Sequence, residues 1–302
     1  MRRTLPLLLC IGFAWVALGC SVSKRVEREL RRSPILRQHH VGLSVYDPAK
    51  RRTLVAYQDD HYFTPASNTK LLSFYAGLCA LGDSLPGLRY AFRADSALYI
   101  EGTGDPSLFH PDLPTSAVEG FLRNTPFKIQ LSLHNEQRQR FGPGWAWDDY
   151  NDDYHPERSS FPLYGSIVRI KSDSIRFLSA SPGYWQDSLY QNNLQSGIRR
   201  HEFANRFAYS RFALPPGLYQ DVPVRLSPEL TVALLRHGLG RSDVLQAEVS
   251  VASTHVLHSI PTDSLYKRML VVSDNMLAEH LMLLYASAHE LPLEVPAAIA
   301  HC

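Results

Sequence analysis

The sequence predicts a mixed α/β protein in which a short β-hairpin and several apolar helices flank a long β-rich middle segment. Two observations carry this prediction. Alternating apolar and small or polar residues cover 41–57 and are interrupted by a turn at Asp47-Pro48, a pattern typical of a hairpin. Short β-like runs separated by proline and glycine fill residues 85–224, and helical patterns lie on either side of them.

The composition allows a sizeable core and excludes one class of partner. The chain has 302 residues, of which 45% are hydrophobic. Lysine plus arginine number 31 against 29 for aspartate plus glutamate, so the net charge is only +2. Because no strong basic field results, we exclude nucleic acid as a partner.

The N-terminus has the pattern of an export signal. Arg2 and Arg3 precede an apolar run over 5–18, which is as long as a signal-peptide core and short for a membrane span. Gly19 stands directly before Cys20, an arrangement that resembles a bacterial lipoprotein processing site. We therefore expect 1–20 to be a lipoprotein-type signal, with lipidated Cys20 anchoring an exported, periplasmic protein to a membrane. The alternative is an ordinary cleaved signal with an incidental cysteine.

The first candidate site lies at the start of an apolar helix. Thr64 is a good N-cap, Pro65 suits the first helical position, and Ser67 then falls in the first turn. Lys70 follows three residues later, so its amine can reach the Ser67 hydroxyl and accept its proton. The spacing predicts Ser67 as a nucleophile and Lys70 as its base.

A second candidate site is the tripeptide Ser273-Asp274-Asn275 between two helical patterns. Ser273 can relay a proton to a leaving amine, and Asn275 can hold Lys70 and donate to a substrate amide. All three residue types are also strong helix caps, so a purely structural role is the alternative.

Taken together, Ser-x-x-Lys and Ser-Asp-Asn are part of the signature of penicillin-binding proteins and class A β-lactamases. The chain resembles the class C low-molecular-mass penicillin-binding proteins, the D-Ala-D-Ala carboxypeptidase/endopeptidase family. The resemblance rests on four segments: 63–71, 102–108, 145–150 and 273–279. A separation of 206 positions between Ser67 and Ser273 fits this family, whereas class A β-lactamases have the two motifs far closer together.

The resemblance implies a serine β-lactamase/transpeptidase-like fold, an antiparallel sheet with helices, interrupted by a large β-rich insertion. The expected segments after the signal are 21–84 with the Ser-x-x-Lys helix, 85–224 as the insertion, and 225–302 as a helical return with Ser-Asp-Asn. No Lys-Thr-Gly follows Ser273. We therefore expect a chain truncated before that motif, with the C-terminal strands missing.

The resemblance also implies the chemistry. Peptidoglycan stem peptides are the expected substrates and β-lactams the expected acylating inhibitors, with an acyl-enzyme on Ser67 and catalytic roles for Lys70, Ser273 and Asn275. The alternative is a catalytically incomplete remnant or a non-catalytic cell-wall-binding protein.

We expect no cofactor and no metal. Serine acylation needs neither. His255 and His258 would share a face if they lay on a helix, but no third ligand stands at a recognised spacing from them.

Overall fold

The computed structural model describes residues 22–135, 139–175, 177–192, 197–210, 212, 214–251 and 255–302. The predicted signal segment 1–20, with Cys20, lies outside these residues. The chain divides into two compact units, the first ending at Ala66 and the second running from Ser67 to Cys302. Among the helices described, none has the length and apolar character needed to cross a membrane.

The first unit contains the predicted hairpin. Strands β1 (Leu43–Asp47) and β2 (Arg52–Tyr57) pair antiparallel as a two-stranded sheet, and Asp47 Oδ1 accepts a hydrogen bond from the Lys50 amide in the turn. Helix α1 covers 22–32, followed by a 3₁₀ turn at Leu36–Gln38. Glu27 Oε1 accepts a hydrogen bond from Ala56 N, which ties α1 to β2.

The second unit is built on a five-stranded mixed sheet. Its central strands are apolar, and Leu98, Ile100, Ile129 and Leu131 are fully buried. Two strand pairs are antiparallel, β3 with β4 and β3 with β13, and two are parallel, β4 with β5 and β5 with β12. In spatial order the strands are β12 (Val244–Ala247), β5 (Lys128–Ser132), β4 (Ala97–Gly102), β3 (Ser84–Arg93) and β13 (His255–Pro261).

Two small sheets and two helices share the core of this sheet. The helices are α3 (Ala117–Asn124) and α4 (Pro228–Leu239). One sheet has the order β11 (Tyr219–Pro223), β6 (Ile167–Ser172), β7 (Leu178–Ser181), and the other β8 (Leu189–Gln191), β10 (Phe207–Tyr209), β9 (Ile198–Arg200).

Four helices form a second, all-α cluster: α2 (Lys70–Ala80), α5 (Thr262–Val272), α6 (Asn275–Ala288) and α7 (Val295–His301). Helix α6 is the most buried of the four. Its Leu277, Leu281 and Leu284 pack with Tyr266 of α5 and with Phe74 of α2. The residues on either side of the α5–α6 turn are therefore held by a packed core.

His255 and His258 lie on strand β13, so the interpretation in which they share a helix face was wrong; pairing with β3 satisfies the backbone of this segment. Strands β12 and β13 join the same sheet as β3, β4 and β5. The four-segment domain division remains a prediction.

Candidate active site

Ser67 lies in a 3₁₀ helix that spans Ala66–Thr69, immediately before α2 begins at Lys70. The prediction that Thr64 caps an α-helix beginning at Pro65 was wrong. Ala66, the first residue of the 3₁₀ helix, has a φ of 45°, which lies outside the α-helical region, so an α-helix cannot run through it from Pro65. In a 3₁₀ turn residues i and i+3 are eclipsed, which still places Ser67 and Lys70 on one side.

Lys70 contacts two of the other predicted site residues. Its Nζ lies 3.2 Å from Ser67 Oγ and 2.5 Å from Asn275 Oδ1. The residue is only 8% exposed. Burial lowers the pKa of the Lys70 amine, and the negative charges of Asp274 and Glu279 oppose that shift. A lowered lysine pKa favours the neutral amine that a general base requires.

Ser273 ends α5 in the left-handed conformation, with a φ of 59°. Its Oγ donates a hydrogen bond of 2.8 Å to Ser67 Oγ. Asp274 is the N-cap of α6, and its side chain accepts a hydrogen bond from Leu277 N at 3.0 Å. Both readings of the tripeptide therefore apply: its middle residue caps a helix, while its outer residues contact Ser67 and Lys70.

All four predicted site residues meet at one place. Ser67 is exposed, whereas the Lys70 that contacts it is buried. An accessible hydroxyl with a desolvated amine on one side and a second hydroxyl on the other has the parts of an activated nucleophile and a proton relay. What this arrangement can do chemically is transfer an acyl group to Ser67.

The segment 102–108, one basis of the resemblance, packs against helix α6. Gly104 has a φ of 85°, and its carbonyl accepts a 2.7 Å hydrogen bond from His280 Nδ1 of α6. A Cβ on Gly104 would lie 2.6 Å from Leu283 Cβ. Glycine here allows backbone and helix to approach closely, which fixes the position of α6.

One ion pair at the site was missed by sequence reasoning. Arg158 Nη1 lies 3.2 Å from Glu279 Oε2, and the Arg158 side chain is 3% exposed. Glu279 lies four residues after Asn275 on α6, so the two share a helix face. The spacing between Asn275 and Glu279 is the signal in the sequence that points to Glu279. No neighbouring residue points to Arg158, which lies 121 positions before Glu279.

The aromatic segment around 145–150 is held by packing. A 3₁₀ helix covers Trp147–Asn151, and Asn151 Oδ1 accepts a 2.7 Å hydrogen bond from Arg200 N. The Trp145 and Phe141 rings each pack edge-on against His155, with centroids 4.4 Å apart. Within the described ranges, no group of three or more His, Cys, Asp or Glu side chains is arranged to hold a metal ion.

Comparison with known proteins gives a family match for part of the sequence. The sequence profile of the D-Ala-D-Ala carboxypeptidase 3 (S13) family matches residues 22–176, just over half of the chain. No curated protein matches the chain at a significant level.

Two solved structures are similar in fold. Penicillin binding protein 4 from Haemophilus influenzae superposes with a TM-score of 0.60 at 17% identity, covering 86% of this chain and 65% of that one. A second structure of the same Haemophilus influenzae protein, in complex with a β-lactam, gives a TM-score of 0.50 at 16% identity over 85% of this chain and 64% of that one. The chain thus spans slightly under two thirds of these relatives. The similarity confirms the predicted fold class, a mixed α/β fold of the transpeptidase type.

Proposed function

The chain belongs to the D-Ala-D-Ala carboxypeptidase 3 (S13) family, and from this premise we propose that it is a serine-type D-Ala-D-Ala carboxypeptidase/endopeptidase. Its substrates are peptidoglycan stem peptides, and β-lactams acylate the same serine. Support for the β-lactam partner comes from the similar fold of a penicillin binding protein that has been crystallised with one.

In the proposed reaction, neutral Lys70 takes the proton from Ser67 Oγ as that oxygen attacks the carbonyl carbon of the penultimate D-Ala. The C–N bond to the leaving residue breaks, and Ser273 Oγ relays the proton held by Lys70 to the departing amine, so that Lys70 and Ser273 both return to their starting protonation states. Water then attacks the Ser67 ester, one of its protons returns to Ser67 Oγ, and the shortened peptide leaves. The 3.2 Å contact of Ser67 Oγ with Lys70 supports the first proton transfer, and its 2.8 Å contact with Ser273 supports a relay hydroxyl beside the reacting oxygen.

One observation carries the proposal. Ser67 Oγ is an exposed hydroxyl in contact with a buried amine, and that amine is itself fixed by Asn275 Oδ1. A serine that serves only as a helix-start residue requires none of these long-range contacts. These contacts come from distant parts of the chain: Asn275 lies 205 positions after Lys70, and Ser273 lies 206 positions after Ser67.

The alternative function stated from the sequence, peptide binding without cleavage, is separated from catalysis by the peptide-release experiment described below.

We also propose that the protein is exported to the periplasm and held at a membrane by lipidated Cys20. The support is the pattern of residues 1–20 described above. Metabolic labelling with a palmitate analogue tests it: the protein should carry label, and Cys20→Ser should remove it. Export without any label in the unmodified chain would contradict the anchor.

The experiment for the catalytic proposal measures release of free D-Ala from a stem pentapeptide ending in D-Ala-D-Ala. The wild-type chain should release D-Ala, and Ser67→Ala should release none. Peptide binding by calorimetry without release, at equal affinity in wild type and Ser67→Ala, would instead establish the binding-only function.

A further inference from the structure

The ion pair between Arg158 and Glu279 lies next to the candidate site and has no part in the proposed proton transfers. Arg158 is almost fully buried and is fixed by more than the carboxylate. Its Nη2 donates a 2.7 Å hydrogen bond to Phe141 O, and its backbone amide donates to Arg140 O at 2.9 Å. The guanidinium is therefore held rigidly by the segment that precedes β6.

Glu279, the acidic member of this pair, is a residue of α6. It lies one helical turn after Asn275, whose Oδ1 contacts Lys70 Nζ. Gly142 leaves room for its carboxylate, since a Cβ there would lie 3.3 Å from Glu279 Oε1. Burial raises the pKa of the Glu279 carboxyl, and the charges of Arg158 and Lys70 oppose that shift; the Glu279 charge in turn opposes the lowering of the Lys70 pKa.

Two carboxylates act on the Lys70 ammonium in the described part of the chain, Asp274 at the N-cap of α6 and Glu279 within α6. Arg158 forms an ion pair with Glu279, whereas Arg268 of α5 pairs with Asp112 and acts on Asp274 through its charge. Two tyrosines also pack on α2: Tyr266 of α5 contacts Phe74 and Gly77, and Tyr285 of α6 belongs to the cluster that includes Ala76 and Ala80. Glu279 is thus the carboxylate near Lys70 that is paired directly with an arginine.

We propose that Arg158 and Glu279 are positioning residues for Lys70, in which Arg158 takes up the charge of Glu279 so that the carboxylate orients the lysine without keeping it protonated. This inference rests on the proposed function. Without Arg158, Glu279 would interact with Lys70 alone, and the lysine would be a stable cation instead of a base. Without Glu279, the amine would lose its proton more readily and would be less well oriented.

Two substitutions should therefore act in opposite directions. In Arg158→Gln the unshared Glu279 charge raises the pKa of Lys70, so the acidic limb of the rate of acylation by a chromogenic β-lactam moves to higher pH. In Glu279→Gln the limb moves to lower pH. Each shift should exceed any displacement of the limb in the control variant described next. Arg158→Lys should restore much of the wild-type limb because it keeps the charge.

Arg89→Gln is the matched control. Arg89 Nη2 donates a 2.8 Å hydrogen bond to Ser287 O, near the far end of the same helix. Its loss perturbs α6 at a position about 12 Å along the axis from Glu279, by the rise of 1.5 Å per residue. This variant should melt at a lower temperature and leave the limb unmoved. A purely structural role for Arg158 and Glu279 would give that same result.

A second readout separates this inference from the proposed function. The chain has six lysines, so ¹³Cε signals of labelled lysine can be assigned by substitution and titrated directly. Opposite shifts of the Lys70 titration in Arg158→Gln and Glu279→Gln support the positioning pair even in a chain that acylates nothing. Shifts in the same direction, or none beyond Arg89→Gln, would overturn it. Absence of acylation with opposite NMR shifts would overturn only the catalytic proposal.

Discussion

Lys70 Nζ and Asn275 Oδ1 lie 2.5 Å apart although 205 positions separate the two residues. The contact joins the first residue of α2 to the first residue of α6. Both helices have their first turns at the site, so their positive dipole ends point toward Ser67 and favour an alkoxide there.

Asn275→Ala should reduce the second-order rate of β-lactam acylation by about 10²-fold, in the range seen when a single catalytic hydrogen bond is removed. The physical reason is that buried Lys70 loses the oxygen that fixes its amine beside Ser67. Stopped-flow acylation measures the effect. A rate within twofold of wild type would show that the Lys70–Asn275 contact has no catalytic role.

Ser273 allows backbone strain and chemistry to be separated. Its φ of 59° costs about 1 kcal/mol for a residue with a Cβ, and glycine relieves that cost. Ser273→Gly and Ser273→Ala both remove the hydroxyl that donates to Ser67 Oγ. Both variants should lose acylation, and the glycine variant should melt at a higher temperature than the alanine variant. If Ser273→Gly acylates at the wild-type rate, the relay role of this hydroxyl is wrong.

Gly102 and Gly120 form a matched pair for stability. A Cβ on Gly102 would collide with the backbone carbonyl of Ser160, which cannot move aside as a side chain would. Gly102→Ala should therefore destabilise the fold by about 2–3 kcal/mol. Gly120 lies within α3 with nothing within 4 Å of its Cβ position, so Gly120→Ala should stabilise by about 0.5–1 kcal/mol. Urea unfolding measures the change in the free energy of unfolding for each variant, and equal changes would contradict the packing described.

Asp105 should make stability depend on pH. Burial raises the pKa of its carboxyl to about 6 from an ordinary value of 3.8. The folded chain therefore binds this proton more tightly than the unfolded chain. The stability that this bound proton gives the folded chain is fully present below about pH 4. It is lost as pH rises to about 6, and the loss is about 3 kcal/mol.

Asp105→Asn tests this directly, because the amide oxygen can still accept from Ser107 N as the carboxylate does. The variant should gain stability relative to wild type between pH 4 and pH 7, as measured by urea unfolding at both values. A stability difference that is independent of pH would show that Asp105 is not protonated in the folded chain. A stability gain in the variant that shrinks as pH rises would show that folding lowers the pKa of Asp105 instead of raising it.

The sequence allowed the site to be predicted because its parts are local motifs. Ser67 and Lys70 are three residues apart, and Ser273-Asp274-Asn275 stands between two apolar helical patterns with strong capping residues. Local rules were also sufficient for the hairpin, whose strands pair antiparallel over 43–57. In each case residues near in sequence determine the structure.

The rest depends on residues far apart in sequence. Strand β13 is defined by its pairing with β3, about 170 positions earlier, which no local periodicity reports. The Arg158–Glu279 pair joins a polar segment to a helix, and neither residue type is unusual in its own surroundings. Ala66 has a positive φ without a glycine to signal it, so the late start of α2 was not predictable.

Acylation of Ser67 is tested most directly by the intact mass of the folded full chain after incubation with a fluorescent penicillin, followed by peptide mapping. One covalent adduct per chain is expected, on the peptide that contains Ser67. Ser67→Ala should abolish the adduct, whereas Ser73→Ala, a change within the adjoining helix α2, should keep it. A chain that melts cooperatively but carries no adduct on Ser67 would contradict an acylation site made of Ser67, Lys70, Ser273 and Asn275.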